Sequence, residues 1–344
     1  MVAPAPAPDV AAPDVAAPAV GLYAALQDLK RQHPAHYGGE SIATRLFRRA
    51  WRRLLGGVAA RERQAGGGGA LAQLADDTAA ESLAMILLPG CDAGFWPHTP
   101  VPRREAARLL RDAIDGACDG AVGEPVRGRL HAAADRLAAR YYAGEAPAAN
   151  VDAAASADAD AVLPPALELL TRQPRAGATR PGFQRLVLAP AELHGEHCLL
   201  TAVYAYLAAE DYGADRGVSF LAGLAHHLHN ALLPDCGFAG EILLGDHLDG
   251  VIDAGRERAL AQLPAALAEA TRAALRHHET IAAPEGRAIS AGDVLDRVLD
   301  VKWRTRAAAV TDRDILGDLD LVHDGPLKSF QMDLLNRHGL WGNR

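Results

Sequence analysis

The stretches HCLLTAVYAYLAAE (197–210) and FLAGLAHHLHNALLPD (220–235) decide the fold class of this chain. Each places apolar residues at steps of three and four positions, which is the spacing of one face of an α-helix. His226 and His227 lie deep in the second apolar run. A polar side chain buried among Leu and Ala needs a partner, because burying it alone costs several kcal/mol. The two stretches therefore predict helices that carry imidazole groups into a buried site.

The same helical spacing extends over the rest of the chain. On the N-terminal side it recurs in 21–146, for example in SIATRLFRRAWRRLL and GRLHAAADRLAARYYA, and after the histidines it continues to about residue 310. The sequence has no series of strand-like segments and no internal repeat. Aromatic residues make up only 5% of the chain, and alanine runs supply much of its 49% hydrophobic content. This composition suits a helical protein better than a β-sandwich, so we expect an all-α fold.

Two low-complexity segments divide the chain. The first is almost entirely Ala, Pro, Val and Asp, and the second is APAANVDAAASADADAVLPP. Segments of this kind cannot anchor a core. The predicted organisation is a disordered leader (1–20), a helical N-terminal region (21–147), a linker or surface loop (148–163), a histidine-bearing helical domain (164–310), and a C-terminal helix and tail (311–344).

Composition excludes several classes of protein. The 35 Lys and Arg residues against 43 Asp and Glu residues give a net charge of −8, which argues against nucleic-acid binding by overall charge. No apolar run approaches the roughly 20 residues that a membrane-spanning helix needs. The N-terminus lacks a basic segment and carries Asp9, unlike a signal peptide. Four scattered cysteines without a C-x-x-C pair predict a reducing, cytoplasmic location. A monomer and a homodimer are both compatible with the sequence.

Histidines concentrate in one quarter of the chain. Eight of the 14 lie between residues 194 and 278, where even scatter would place three or four. Neutral imidazole is a good ligand for zinc, iron and copper, so this clustering is typical of a metal site. A late aspartate, Asp300, follows Val298 and Leu299 on a helix face that we expect to be buried. The eight histidines of this quarter are His194, His197, His226, His227, His229, His247, His277 and His278.

The order of these residues resembles the HD superfamily of helical metalloenzymes. That pattern is a leading His, then a His-Asp pair, then optional histidines, then a late Asp. His197 corresponds to the leading His, His226 to the His of the pair, and Asp300 to the late Asp. The resemblance covers about 190–305 and implies an HD-domain-like helical bundle with its metal-binding domain at 164–310. The motif HHE with a late L-D is also similar to the HD-GYP branch. Some members of the superfamily have larger metal clusters, and their extra ligands would correspond to His247, His277 and His278.

The chain departs from that pattern at three places. His227 stands where the family has its Asp, and an imidazole cannot bridge two close ions as a carboxylate can. Asn230 stands where many hydrolases of the family carry a lysine that meets phosphate. The segment 277–290, HHETIAAPEGRAIS, lacks a G-Y-P signature, which disfavours a cyclic-dinucleotide phosphodiesterase. The departures favour one metal ion or an unusually bridged pair.

The resemblance implies a metal-dependent enzyme with a small-molecule substrate. The missing phosphate-handling residues favour a non-haem iron oxygenase or oxidase, with one or two iron ions. The alternatives are a phosphohydrolase, with Mn, Zn or Mg as the ion, and a non-catalytic regulatory protein that keeps the fold. Glu279 and Asp296 are the predicted catalytic acids, which would orient ring N–H groups. The predicted metal ligands are His197, His226, His227, His247, His277, His278 and Asp300.

An arginine-rich helix is predicted within SIATRLFRRAWRRLL. Residues 41–64 hold seven arginines and one acid around an apolar stripe. Such a helix either meets an anionic partner or membrane surface, or it is a face paired with acidic neighbours of the same chain.

Overall fold

A computed structural model of the chain describes residues 17–61, 69–143, 162–177, 179, 181–183, 185–186, 189–278, 280–305 and 321–340. Within these ranges every regular element is a helix, apart from isolated bridges such as that between Pro174 and Leu193. The protein is all-α, as the hydrophobic spacing predicted. Among the described residues, none of the helices combines the length and the apolar character that crossing a membrane would require.

The α-helices follow one another along the chain. Short 3₁₀ helices at Gln27–Lys30, Leu228–Ala231 and Gly245–His247 lie between some of them. The α-helices are α1 (Ala17–Leu26), α2 (Ile42–Arg61), α3 (Gly69–Leu87), α4 (Arg103–Cys118), α5 (Glu124–Tyr142), α6 (Pro165–Leu170), α7 (His194–Tyr212), α8 (Arg216–Ala225), α9 (Gly237–Leu244), α10 (Leu248–Leu260), α11 (Ala265–His278), α12 (Pro284–Thr305) and α13 (Lys328–Arg337).

Helix α7 is the centre of the molecule. Every residue in its first sixteen positions is buried, which matches its apolar sequence on all faces. Helices α2, α8 and α12 pack around it. Asp215 begins α8 by accepting hydrogen bonds from the backbone N–H groups of Gly217 and Val218, at 2.8 and 2.9 Å. Since α7 is surrounded by other helices, a polar side chain on it meets a neighbouring helix rather than water.

Two glycines set how closely the neighbours approach α7. A Cβ atom at Gly223 of α8 would lie 2.7 Å from the Cα atom of Ala202. A Cβ atom at Gly292 of α12 would lie 2.8 Å from the carbonyl oxygen of Thr201. Both contacts are with the backbone of α7, so only glycine permits these separations. The close approach brings the end of α8 and the middle of α12 beside the start of α7.

The N-terminal helices and the histidine-bearing helices share one hydrophobic core. Helix α2 packs on α7 and α3 packs on α8, and buried polar contacts cross between them. The Ser41 hydroxyl donates to Glu196 at 2.5 Å, and the Tyr206 hydroxyl donates to Asp76 at 2.9 Å. The packing therefore continues across the predicted boundary at 148–163.

The predicted leader needs one correction. Helix α1 begins at Ala17, inside the segment 1–20, and Ala19 is already buried in the core. Residues 1–16 lie outside the described residues, as do 148–161 of the predicted linker and 311–320 and 341–344 of the predicted C-terminal segment. Within that last segment, α13 covers the region where a short helix was predicted.

Arginines of α2 pair with acidic side chains of the same chain. Arg48 contacts Glu40 at 2.8 Å and also contacts Glu168. Arg53 contacts Glu81 at 3.1 Å. These pairs match the second of the two interpretations of this helix, a face neutralised by neighbouring acids.

Candidate metal centre

Three helices position the candidate site. His197 lies in the first turn of α7, and His226 and His227 directly follow the last residue of α8. Asp293 and Asp296 lie one turn apart on α12. Because α8 and α12 both cross α7 closely at a glycine, the side chains from these three places converge on a small volume.

The closest atoms of the cluster form a triangle. The Nε2 atoms of His197 and His226 are 3.1 Å apart. Asp293 Oδ1 is 3.2 Å from His197 Nε2 and 3.9 Å from His226 Nε2. His227 completes the group, since each of the three histidines offers a ring nitrogen within 4.8 Å of those of the other two. The separations are of the size expected between ligands that share one ion, for which metal–nitrogen bonds are about 2.0–2.1 Å.

Hydrogen bonds at the far side of each ring decide which nitrogen faces the cluster. His197 Nδ1 lies 2.6 Å from Asp296 Oδ2, and His226 Nδ1 lies 2.7 Å from the carbonyl oxygen of Gly223. His227 Nδ1 lies 2.8 Å from Asn230 Oδ1. Carboxylate, carbonyl and amide oxygens accept, so each Nδ1 carries the proton and donates. In a neutral ring the lone pair is then on Nε2, and the Nε2 atoms of His197 and His226 face Asp293.

Burial favours the neutral form of the imidazoles. It lowers the pKa of His226 well below its usual range, and the neighbouring His197 lowers it further. Burial also lowers the pKa of His227, together with the nearby His226. Neutral imidazole is the form that binds metals.

Asp293 is ionised in spite of its burial. Burial raises the pKa of this carboxyl group, but the guanidinium group of Arg297 and a hydrogen bond with His197 outweigh that effect and hold the pKa well below its usual range. Arg297 contacts the other carboxylate oxygen, Oδ2, at 3.2 Å. Two ring nitrogens and one carboxylate oxygen thus face a common point, and this donor set fits a divalent transition ion.

Asp296 anchors the other side of His197. Its oxygens accept from Lys30 Nζ, at 2.9 Å each, and from the side-chain amide of Gln27 at 2.7 Å. Glu192 contacts Lys30 as well, and it accepts from Arg175 at 2.9 Å. Burial raises the pKa of Glu192, but Lys30 and Arg175 outweigh it and hold that pKa well below its usual range. Asp296 therefore acts on His197 through Nδ1 and lies behind the ring, away from the facing atoms.

A cavity of about 320 Å³ opens beside the cluster. His226, His227 and Asp293 form part of its wall, and the apolar side chains of Phe238 and Ile252 form another part. Its volume is at the small end of the range for organic ligands. The cavity therefore offers a small molecule a place next to the facing nitrogens and carboxylate.

The structure brings some of the remaining predicted residues to the cluster and leaves others outside it. The ring of His278 is 5.5 Å from that of His226, and His278 lines the cavity. The side chain of His277 is 39% exposed and lies 3.9 Å from Glu285, so it is turned away. His247 is exposed in the 3₁₀ helix Gly245–His247, and this is a correction to the predicted ligand set. Glu279 lies outside the described residues.

Asp300 is the second correction to that set. It borders the cavity, but its Oδ1 accepts from Arg31 at 2.7 Å and its Oδ2 accepts from Arg304 at 2.7 Å. Lys30 lies 3.7 Å away. Both oxygens of Asp300 are engaged by guanidinium groups, so Asp300 contributes to an ion-pair network rather than to the facing triangle.

Sequence reasoning missed Asp293, the one carboxylate in the triangle. Residues 293, 296 and 300 follow an i, i+3, i+7 spacing, which places all three on one face of α12. That spacing could have added Asp293 to the candidates, although it does not rank the three. Lys30 lies far from the histidines in sequence, and Glu192 lies in the loop before α7. No local sequence pattern identifies either residue as part of the site.

No protein-family model, curated protein or solved structure matches this chain.

Proposed function

We propose that this protein is a metal-dependent enzyme whose ion is bound by His197, His226 and Asp293, with His227 as a further ligand. The observation that carries the proposal is the convergence of His197 Nε2, His226 Nε2 and Asp293 Oδ1 within 3.9 Å of one another in a buried site. When both rings are neutral, three electron-pair donors at these distances repel one another, and a cation bound among them removes that repulsion. The second nitrogen of each ring is already engaged by an acceptor, as is usual for histidines that bind metals.

The resemblance to the HD superfamily supports the same proposal. His197 and His226 occupy the positions of the leading His and of the His of the pair, and they meet in space. Asp293 takes the role of the late aspartate in place of Asp300. His227 replaces the bridging carboxylate of the family, which favours a single ion. Membership in the superfamily is part of what we propose.

The proposed reaction is the oxidation of a small organic molecule by a non-haem iron oxygenase or oxidase. Two histidines and one carboxylate on one face of an ion are the typical ligand set of Fe(II) enzymes that use dioxygen. Bound Fe(II) would supply the redox chemistry that dioxygen activation requires. Asp296 keeps the ring of His197 oriented through its hydrogen bond with Nδ1. Phe238 and Ile252 line the adjoining cavity and limit the water that reaches a substrate.

A metal-dependent phosphohydrolase is the second candidate, and one observation favours it. The guanidinium groups of Arg175, Arg297 and Arg304 line the same cavity, and guanidinium groups are well suited to phosphate oxygens. Each of them is already paired with a carboxylate of the chain, Glu192, Asp293 and Asp300 respectively. For this reason we place hydrolysis second.

Metal loading separates the two candidates. The protein would be stripped with a chelator, reloaded anaerobically with Fe(II), Mn(II), Zn(II) or Mg(II), washed, and analysed for bound metal. We expect one Fe(II) per chain, and consumption of dioxygen with a panel of small organic acids, alcohols and amines. Hydrolysis of generic phosphoesters by the Mn(II), Zn(II) or Mg(II) forms, with no dioxygen consumed, would instead support the second candidate. If wild-type protein binds none of the four ions, both proposals fail.

A further inference from the structure

Lys30 is a buried cation from outside the histidine-bearing helices. It ends the 3₁₀ helix Gln27–Lys30, and its side chain is only 1% exposed. Its ammonium contacts both oxygens of Asp296, also contacts Glu192, and lies 3.7 Å from Asp300. Burial alone would lower the pKa of Lys30, but the three carboxylates outweigh it and raise that pKa well above its ordinary value.

The ammonium occupies a place that has the composition of a second metal site. Glu192, His197 and Asp296 each offer a ligand atom, and these three atoms lie within 4.8 Å of one another. Lys30 Nζ contacts both carboxylates of that group. Three carboxylates, those of Glu192, Asp296 and Asp300, are matched by four side-chain cations, Lys30, Arg31, Arg175 and Arg304. The negative charge behind His197 is therefore neutralised without a second divalent ion.

The contacts of Asp296 explain why the ammonium matters for His197. Oδ1 accepts from Gln27 and Lys30, and Oδ2 accepts from Lys30 and from His197 Nδ1. Among the described residues, the ammonium is the one partner that contacts both oxygens, so it sets the rotation of the carboxylate. That rotation places Oδ2 at 2.6 Å from Nδ1 and keeps the proton there, which leaves the His197 Nε2 lone pair facing Asp293.

We propose that Lys30 is a positioning residue of the metal centre: it holds Asp296 against His197 and fills the space of a second ion, so that the centre takes a single ion. The inference rests on the proposed function for the ion at Nε2. It assigns a role to the N-terminal region that the histidine pattern does not reveal, namely the supply of a permanent cation to the centre.

The test compares three lysine variants. Lys30→Met keeps most of the side-chain length without the charge, and Lys30→Arg keeps the charge. Lys328→Met is the matched control, because Lys328 lies on the surface and pairs with Asp324. Co(II) titration, followed by its visible spectrum, gives affinity and stoichiometry. We expect wild type to bind one Co(II) ion, and Lys30→Met either to lose affinity 10- to 100-fold or to bind a second ion. Lys30→Arg should keep the affinity and stoichiometry of wild type, and Lys328→Met should change neither.

A second readout does not involve metal. In the metal-free protein, ¹⁵N chemical shifts of the His197 ring report which nitrogen carries the proton. We expect Nδ1–H in wild type and Lys30→Arg, and a mixture of the two tautomers in Lys30→Met. This measurement judges Lys30 even if wild type binds no ion, in which case the proposed function fails by itself.

Amine rescue guards against a purely structural effect. Lys30→Ala leaves room for a small alkylammonium ion, so added propylammonium should restore Co(II) affinity and the Nδ1–H tautomer, whereas propanol should not. The proposal is overturned if folded Lys30→Met has wild-type affinity, stoichiometry and tautomer. It is equally overturned if wild type binds two ions. If circular dichroism shows that Lys30→Met is unfolded, the other two variants decide. The proposal is then overturned if Lys30→Arg does not bind one ion, or if propylammonium does not rescue Lys30→Ala.

Discussion

Three aspartates on one face of α12 have different roles because their surroundings differ. Asp293 faces the Nε2 atoms of His197 and His226, at 3.2 and 3.9 Å. Asp296, one turn later, accepts from Lys30 and from the far nitrogen of His197. Asp300, a further turn along, is held by two arginines. The same carboxyl group is a proposed metal ligand, an orienting acceptor or an ion-pair partner according to what the neighbouring helices present to it.

Asp293→Asn tests this assignment at the residue scale. The substitution keeps the shape of the side chain and removes the negative charge that a divalent ion needs. We therefore expect metal affinity to fall on the order of 100-fold, at least as much as when a hydrogen-bond partner of a metal ligand is removed. Competition with a chromophoric chelator measures the change. The control is His247→Ala, which removes an exposed imidazole and should leave affinity unchanged. Equal affinities in wild type and Asp293→Asn would remove Asp293 from the centre.

At the scale of helices, the site depends on how closely α12 and α8 approach α7. Gly292 directly precedes Asp293, and the missing side chain lets the backbone of α12 lie against Thr201 and Ala205. Gly223 does the same for α8 and also supplies the carbonyl that accepts from His226. The glycines thus link packing to the geometry of the metal centre.

Gly292→Ala should weaken stability and metal binding together. The added Cβ atom would lie 2.8 Å from a backbone oxygen of α7, which cannot move away cheaply, so we expect a loss of about 1–3 kcal/mol in the free energy of unfolding. Urea denaturation measures this loss. Gly128→Ala in the middle of α5 is the control, because nothing lies within 4 Å of its Cβ position and alanine favours a helix by up to about 1 kcal/mol. A stable Gly292→Ala with normal metal affinity would contradict this account.

A second network joins α2 to α3 and to the segment after α3. Arg49 contacts Glu81 and donates to Asp92 at 2.6 Å, and the Tyr37 hydroxyl donates to Asp92 at 2.9 Å. Burial raises the pKa of Asp92, but Arg49 outweighs it, so the pKa of Asp92 is below its usual value. Breaking a buried pair on one side is strongly destabilising, because the other charge stays buried.

Asp92→Asn should therefore cost about 3–5 kcal/mol of unfolding free energy at neutral pH. Since the folded-state pKa is depressed, the stabilisation from Asp92 is complete above the unfolded-state pKa of about 3.9 and is lost as the pH falls through the folded-state value. The difference between wild type and Asp92→Asn should narrow as the pH is lowered below about 4. Urea denaturation at a series of pH values measures it. A difference that stays constant with pH would show that Asp92 is not the ionised partner.

At the scale of the whole molecule, one core includes both the N-terminal helices and those that carry the histidines. Helix α7 contacts α2 on one side and α12 on another, and Lys30 reaches from the N-terminal region to Asp296. Two regions that the sequence separates by a low-complexity segment are thus parts of one packing unit. We infer that the N-terminal region is needed to complete the centre.

Unfolding of the full chain should accordingly be a single transition. Far-UV circular dichroism and hydrogen exchange of peptides from α3 and α12 should give the same midpoint in urea, because neither region has a core of its own. The matched comparison is the metal-loaded protein, in which both probes should shift together. Two separate midpoints, with α3 unfolding apart from α12, would show that the regions fold independently.

The sequence by itself determined the helical class, because hydrophobic spacing is a local property. It also included His197, His226 and His227 among seven predicted ligands, because these residues stand in strongly apolar stretches. It also predicted that Asp296 orients a ring, and the hydrogen bond to His197 Nδ1 agrees with that role. Only the tertiary structure decided between Asp293 and Asp300, since both lie on the same face of α12 and the rotation and depth of that helix against α7 select one of them. It alone placed Lys30 beside Asp296, 266 positions away in the chain, because such contacts depend on how helices pack and leave no periodic trace in the residues themselves.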